Sequence, residues 1–385
     1  MQDIQDLLPA SEDSILALDL ETNGTDFSDP ACYIVGIGLA DRNACLYLDW
    51  AGLSGPARQY LFAQLRRRPL TSFNVLFDGG FLWKQGLGWL NWSMCTFGLF
   101  RQLATEGYNG QTWKLETFMR DVLGWEVSSK AVMAEALARH KLTKETMWRL
   151  ATIEPHLFGT YCALDAEAHL QAFEALADVV EQLGKPGQAL KQYHTKDFLV
   201  EVKLLIEQQV RGSMLDVPKA QTYHDKLGRD IEAGLAEFLA LEETAPAIAE
   251  YNTLCLEKVL GKEPAKLTTA GKVSLNWSKW QARVKEAQLT NYFNPGSSKQ
   301  LAWLFYDKLG YAPKKFTDGG SRSTDREVLP FLGAPGKLLS KVKKMQKEQM
   351  YVAAGLAKQR DGIIHHACKS VGTVTGRLSG GYEDV

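Results

Sequence analysis

The sequence lacks an apolar run long enough to cross a bilayer, and residues 1–13 are acidic and polar rather than arranged as a secretory signal. A cytoplasmic protein with no membrane partner is therefore expected. Cysteine is sparse. Cys32, Cys45, Cys95, Cys162, Cys255 and Cys368 are scattered with no C-x-x-C pair, which argues against a zinc site and against a disulfide framework. Most of them read as small buried hydrophobes. There is no internal repeat and no low-complexity tract, which sets repeat architectures aside.

Net charge is nearly absent too, at −1, but the balance is uneven. Residues 1–185 carry 15 Lys+Arg against 23 Asp+Glu, a net −8, while residues 294–385 carry 15 against 8, a net +7. The acids are N-terminal and the basic excess is C-terminal. A basic end suits a phosphate backbone. The length of 385 residues allows two or three domains with sizeable cores.

What is present is a short apolar run, Ile15 to Leu20, broken by Asp19 and Glu21. It reads as a buried strand, and residues at i and i+2 leave the same face of a strand. Two like charges there are costly unless a cation sits between them. Tyr33–Ala40 and Ala44–Leu48 read as the next strands, joined by a turn at Asp41–Asn43. Arg58–Arg68 is expected to be helical, Leu70–Asn74 a short strand, and Asp78 the start of a helix. Leu115–Gly124, Ala131–Arg139, Lys144–Ala151 and a long Thr160–Leu183 follow as helices, the last stopped by Gly184-Lys185-Pro186-Gly187. Strands first and helices around them imply one α/β domain. Beyond it, Tyr193–Val210 and Val217–Glu243 read as long helices, and residues 244–293 as less regular, punctuated by Pro246, Gly261, Pro264 and Gly271. A helix is expected up to Leu309, an N-cap at Ser323–Glu327, and a helix over Leu338–Lys358.

Asp78 and Asp165 complete a carboxylate set. Tyr161 and Asp165 stand at i and i+4, one helix face. Four acids from three separated segments suit a pair of divalent ions roughly 4 Å apart, which activate a water and stabilise a leaving oxygen. Tyr161 would orient that water through its hydroxyl. Taken singly, Asp78 fits a helix cap, Tyr161 a packing residue and Asp165 an exposed helix acid.

The ordered pattern D-x-E, N-x-x-x-D and Y-x-x-x-D (Asp19/Glu21, Asn74/Asp78, Tyr161/Asp165) resembles the DEDD 3′→5′ exonucleases of the RNase H-like fold, in their tyrosine subclass. In the histidine subclass a His stands five residues before the last Asp, where this chain has Thr160. The resemblance implies a mixed sheet flanked by helices, with Asp19, Glu21, Asp78 and Asp165 as ligands of two Mg²⁺ ions (Mn²⁺ substituting). It also places Thr22 and Asn74 beside the terminal nucleotide.

A second resemblance covers the other half. Phe293-Asn294-Pro295-Gly296-Ser297-Ser298-Lys299-Gln300-Leu301, then Ser323–Leu329, then Ile364–Cys368 through Thr373–Ser379, resemble the thumb and the start of the palm of family A DNA polymerases. Val210–Asp216 fits that family's turn between thumb helices. This implies an exonuclease domain over 1–187, a mainly helical thumb over 188–362 with a phage-like insertion near 241–290, and the start of a palm over 363–385. Trp277 and Trp280 suggest a small packed element in the insertion. DNA-backbone contacts are expected from Ser297, Ser298 and Lys299 at a helix start, from Lys343, Lys344 and Lys347 along a helix beside Lys341, and from Arg377.

The family's polymerase aspartates and fingers helix find no match here, so no polymerase activity is expected of this chain alone. The implied partners are a single-stranded DNA 3′ end, a primer–template duplex and a second polypeptide carrying palm and fingers. Two alternatives stay open. One is a non-catalytic primer–template-binding subunit of a split polymerase. The other is an exoribonuclease, which the thumb motifs disfavour.

Overall fold

The computed structural model describes residues 14–103, 115, 119–120, 124, 128–261, 263–267, 273–288, 291–370 and 378–380. It divides into two compact units, residues 1–214 with 363–385, and residues 215–362.

The first unit is built on a five-stranded sheet. Its strands are β1 (Leu16–Thr22), β2 (Ile34–Ala40), β3 (Cys45–Asp49), β4 (Leu70–Ser72) and β5 (Trp92–Cys95), in the order β3-β2-β1-β4-β5. β2 lies antiparallel to β1 and β3, whereas β1, β4 and β5 run parallel. The helices are α1 (Gly55–Arg67), α2 (Val75–Lys84), α3 (Thr96–Leu103), α4 (Ser128–His140), the short α5 (Leu150–Ile153), α6 (Pro155–Gln182), α7 (Lys185–Tyr193) and α8 (Leu199–Arg211). The expected helix at Leu115–Gly124 lies largely outside the described residues.

Alternation along β1 makes the layers. Leu16, Leu18 and Leu20 enter the main core with Leu61 and Leu65 of α1, Phe81 and Leu82 of α2, and Val202 and Ile206 of α8. The helices after Gly184 thus pack on the same sheet as those before it. On the opposite face Ala17 meets Ala40, Ala166 and Leu170, so α6 covers that side. The close approach of α6 depends on small residues. Gly38 pairs with Asp19, and a Cβ at Gly38 would lie 2.2 Å from the Cys162 carbonyl oxygen. Gly36 pairs with Glu21, and a Cβ there would strike the Tyr47 ring. The neighbour strand is therefore bare opposite both acids.

Several elements differ from the sequence expectation. α2 begins at Val75, so Asp78 stands within its first turn instead of opening it. α6 begins at Pro155, which serves as a first-turn proline with a fixed helical φ. Lys144–Ala151 divides into a 3₁₀ turn (Lys144–Arg149) and α5. The long helix expected over Tyr193–Val210 is interrupted by a π turn at His194–Phe198. β5 and α3 were not anticipated. Among the cysteines only Cys95 and Cys162 are buried, while Cys45 is exposed, because the strand carrying Cys45 lies at the sheet edge.

The second unit is helical: α9 (Val217–Ala240), α10 (Ala245–Leu260), α11 (Leu275–Gln288), α12 (Ser298–Ala302) and α13 (Gly333–Lys358). Leu227 and Ile231 of α9 pack on Val342 of α13, and a larger core gathers Phe238, Ile248, Phe293, Leu301, Phe305, Leu329 and Leu339. The stretch 244–293, expected to be less regular, carries α10 and α11. The Trp277 indole donates to Glu263 Oε1 at 3.1 Å and the Trp280 indole to the Leu260 carbonyl at 3.2 Å, so both rings serve the element's own packing. Ser323–Glu327 is not a helix N-cap. It is a turn in which Asp325 Oδ1 accepts from the Glu327 and Val328 amides, ahead of a 3₁₀ turn at Leu329–Phe331.

Candidate active site

The four acids and Tyr161 meet where the C-terminal end of β1 passes under α6. β1 presents Asp19 and Glu21 on the face that α6 covers. β4 pairs with β1 only as far as Ala17, which leaves the Leu20 amide free of strand partners on that edge. Asp78 uses it: its Oδ1 accepts from Leu20 N at 3.2 Å, tying the first turn of α2 to β1 between the two acids. An acid in a helix's first turn is also favoured by the helix dipole. From α6, Tyr161 and Asp165 come in on one face, near enough that the Asp165 charge helps push up the Tyr161 hydroxyl.

The electrostatics are those of crowded anions. Burial, with little opposing charge, pushes Asp19 up to about 7 and Asp165 to about 6. Glu21 is driven well above the usual carboxylate range by burial and by Asp19, Asp165 and Asp78. Asp78 moves the same way for burial and for Asp19, although the Leu20 amide opposes it. The Tyr161 hydroxyl is pushed far up by burial and by the same carboxylates, so it stays protonated at any working pH. Such a cluster favours either protons or metal cations over bare charge.

Three residues here escaped the sequence reading. Lys130, early in α4, is the cation whose charge favours the ionised forms of Asp19, Glu21 and Asp165. His169, one helical turn beyond Asp165, is buried, and burial lowers its pKa, so it is neutral. Its Nδ1 must carry the proton, because its partner at 2.9 Å is the Leu18 carbonyl, which can only accept. The unprotonated Nε2 then lies 3.7 Å from Asp19 Oδ1, and the ring stacks on Phe73. The i, i+4, i+8 stripe Tyr161-Asp165-His169 was the available signal. Cys162 completes the set: Asp19, Glu21 and Cys162 offer ligand atoms all within 4.8 Å of one another. Burial and the neighbouring carboxylates push the Cys162 thiol well up, so it stays protonated and the oxygens are the available donors. An all-oxygen carboxylate set of this kind fits a hard divalent cation.

The remaining expected residues lie elsewhere or are otherwise engaged. The Thr22 hydroxyl donates to the Gly24 carbonyl at 2.6 Å. Asn74 precedes α2, its carbonyl accepting from the Phe77 and Asp78 amides. Ser297 caps α12, its hydroxyl accepting from Gln300 N at 3.4 Å, and Ser298 and Lys299 are exposed beside it. On α13, Lys344 and Lys347 are exposed and Lys347 Nζ lies 5.6 Å from the Tyr351 ring centre. Lys343 is half-buried and desolvation lowers its pKa. Arg377 lies outside the described residues. No helix among the described residues is long and apolar enough to cross a membrane.

Comparison with known proteins adds three likenesses. A 91-residue stretch is 33% identical to a DNA polymerase of Bacillus phage SP01, covering 22% of this chain and 10% of that one. The POL domain of Pol1 from M. smegmatis, solved in complex with DNA primer-template and dNTP, matches with a TM-score of 0.65 at 14% identity. That match covers 95% of this chain and 50% of the solved one, so the chain spans half the length of the polymerase domain whose fold it shares. Residues 267–381 match the model of DNA polymerase family A. The chain therefore carries a family A DNA polymerase-related domain on a mixed α/β framework.

Proposed function

We propose that the chain is a metal-dependent 3′→5′ DNA exonuclease joined to a polymerase thumb, the proofreading portion of a family A DNA polymerase. The observation that carries this reading is the convergence of Asp19, Glu21, Asp78 and Asp165, with Tyr161, from three separated segments onto one end of β1. The order β3-β2-β1-β4-β5 with β2 antiparallel to its neighbours supports an RNase H-like sheet.

Asp19, Glu21, Asp78 and Asp165 would hold two Mg²⁺ ions, with Mn²⁺ as a substitute. Bound there, the cations would supply Lewis-acid polarisation of the scissile phosphate and acidify a water. The protein's own groups arrange the rest. Asp78 is fixed by the Leu20 amide, so that carboxylate does not have to reorganise. Tyr161 keeps its proton and so cannot act as a base. Its hydroxyl is an orienting group for the attacking water, beside Asp165 on one face of α6. Thr22 and Asn74 flank the position of the terminal nucleotide. The reaction is hydrolysis of the last phosphodiester, releasing a 5′-mononucleotide. On the second unit Ser297, Ser298, Lys299, Lys343, Lys344 and Lys347 are the proposed backbone contacts of a primer–template duplex, and Arg377, outside the described residues, is proposed as a further one. A palm and fingers would complete the polymerase.

The test is degradation of 5′-labelled single-stranded DNA with Mg²⁺ present or absent. Wild type should shorten it from the 3′ end, and Asp19→Ala and Asp165→Ala should abolish this while remaining folded by circular dichroism. Unchanged activity in both variants would end the proposal, and RNA offered in competition reports the preferred sugar.

A further inference from the structure

One step along the sheet beyond the carboxylates stands a pair of aromatic rings that the chemistry above does not use. Tyr33 immediately precedes β2; its carbonyl accepts from the Asn23 amide at 3.2 Å, and the Tyr33 amide donates to Asn23 Oδ1 at 2.6 Å. It therefore sits across from Asn23, two residues past Glu21. The Tyr33 ring meets the Trp148 ring edge-on, 6.4 Å between centres at 72°. Trp148 lies in the 3₁₀ turn before α5. Its neighbour Met147 packs against the core of Met133, Ala136, Leu150 and Phe158, against which Val35 and Tyr161 also pack, so the turn is anchored on the same cluster as the proposed water-orienting residue. Tyr33 is 47% exposed, and the exposed Arg149 holds its guanidinium carbon 5.6 Å from the centre of the Trp148 ring. In an edge-on pair one ring turns its edge to the other's face, so at least one of the two keeps both faces clear of its partner, and half-exposed aromatics beside an arginine are the ordinary means of holding single-stranded nucleic acid.

We propose that Tyr33 and Trp148, with Arg149, form a stacking platform for a base within the last two nucleotides of a single-stranded 3′ end. This rests on the exonuclease reading for its orientation. Two residues of strand span about 7 Å, close to the separation of neighbouring bases in an extended strand, which suits a base held there while the phosphate beside it reaches the carboxylates. The contact is blind to base identity because every base offers a π face.

The experiment compares the full chain with its Trp148→Ala, Trp148→Phe and Tyr33→Ala variants on two probes. One is fluorescein-labelled (dT)4, read by anisotropy with Ca²⁺ and by steady-state cleavage with Mg²⁺, with abasic versions at each of the last two positions. The other is the p-nitrophenyl ester of thymidine 5′-monophosphate, which has one nucleoside and reads the carboxylate chemistry alone. The expected result is a roughly 5- to 100-fold rise in Kd and KM for (dT)4 in Trp148→Ala, with kcat held within about twofold. Trp148→Phe should recover most of this, and ester hydrolysis should be equal in all variants. One abasic position should cost wild type a similar factor and cost Trp148→Ala nothing more. Unchanged (dT)4 binding in both alanine variants overturns the platform, as does a loss that the ester shares, which would mark the rings as packing only. If wild type cleaves neither probe but Trp148→Ala still weakens (dT)4 binding, the hydrolytic reading fails and the platform stands.

Discussion

Removing divalent metal should make this protein lose stability as pH rises, the reverse of ordinary acid denaturation. Asp19, with a side chain only 19% exposed, has its pKa raised to about 7 in the folded state. A raised carboxylate pKa means the folded state binds more protons than the unfolded chain between the two values. The slope of unfolding free energy against pH is then negative, so the contribution is full below about pH 4 and is lost as pH climbs to about 7. The Asp19 proton over about three pH units, at ~1.4 kcal/mol per unit, contributes up to ~4 kcal/mol. Glu21 and Asp78, raised by burial and their neighbours, add to the fall in the same direction, and Asp165, raised to about 6, is taken together with Asp19. Urea denaturation in EDTA from pH 4.5 to 7.5 should show a fall of at least roughly 2–4 kcal/mol. Asp19→Asn should make that fall shallower by the Asp19 share and be the more stable protein at pH 7.5. Mg²⁺ should restore wild type at pH 7.5 and do far less for the variant. Parallel wild-type and Asp19→Asn profiles in EDTA would refute the reasoning, since the excess proton would then reside elsewhere.

Three further outcomes follow from particular contacts. Gly38→Ala places a methyl 2.2 Å from the Cys162 carbonyl oxygen, so α6 must lift from β2. We expect a loss of about 1–3 kcal/mol in urea denaturation together with reduced nuclease rate as Asp165 retreats from Asp19. Tyr161→Phe should lower kcat by about 100-fold on single-stranded DNA while leaving the Mg²⁺-induced stabilisation intact, and loss of that stabilisation would contradict the water-orienting role. Arg68→Met should cost roughly 3–5 kcal/mol, because it strands Asp41, whose Oδ2 lies 3.2 Å from the guanidinium with both side chains buried. Adding Asp41→Leu should recover most of that loss, and failure to recover would assign the cost to packing.

The carboxylate set was legible because it is written in short local patterns: two acids in an apolar strand, and an aromatic and an acid one helical turn apart. Its supports were harder to see. Lys130 acts from a helix distant in sequence from β1, and nothing in its own neighbourhood marks it. His169 continues the stripe of Tyr161 and Asp165, but its partner is a backbone carbonyl, which no residue code announces. The stretch 244–293 shows why punctuation has two meanings. Pro246 stands in the first turn of α10 and Gly261 follows its end at φ 64°, so these two residues read as breaks are the helix's own start and stop. The π turns at His194–Phe198 and Trp303–Lys308 lie inside helical periodicity and leave no compositional trace.

The glycines opposite the acids connect these observations. β2 gives up side chains at Gly36 and Gly38, which loses packing on its own strand, and the space admits Tyr47 and the Cys162 turn of α6 against β1. That approach buries both acids and brings the Asp19 charge to bear on Asp165, so burial raises both pKa values, and the crowding costs stability wherever the acids are ionised. A sheet selected only for stability would place apolar side chains at both levels. The arrangement is favourable only if something cationic repays the crowding, and its tightness then becomes the source of affinity. Lys130 meets part of that demand by a single charge carried on α4, and the excess proton predicted for the metal-free protein measures what Lys130 leaves unmet.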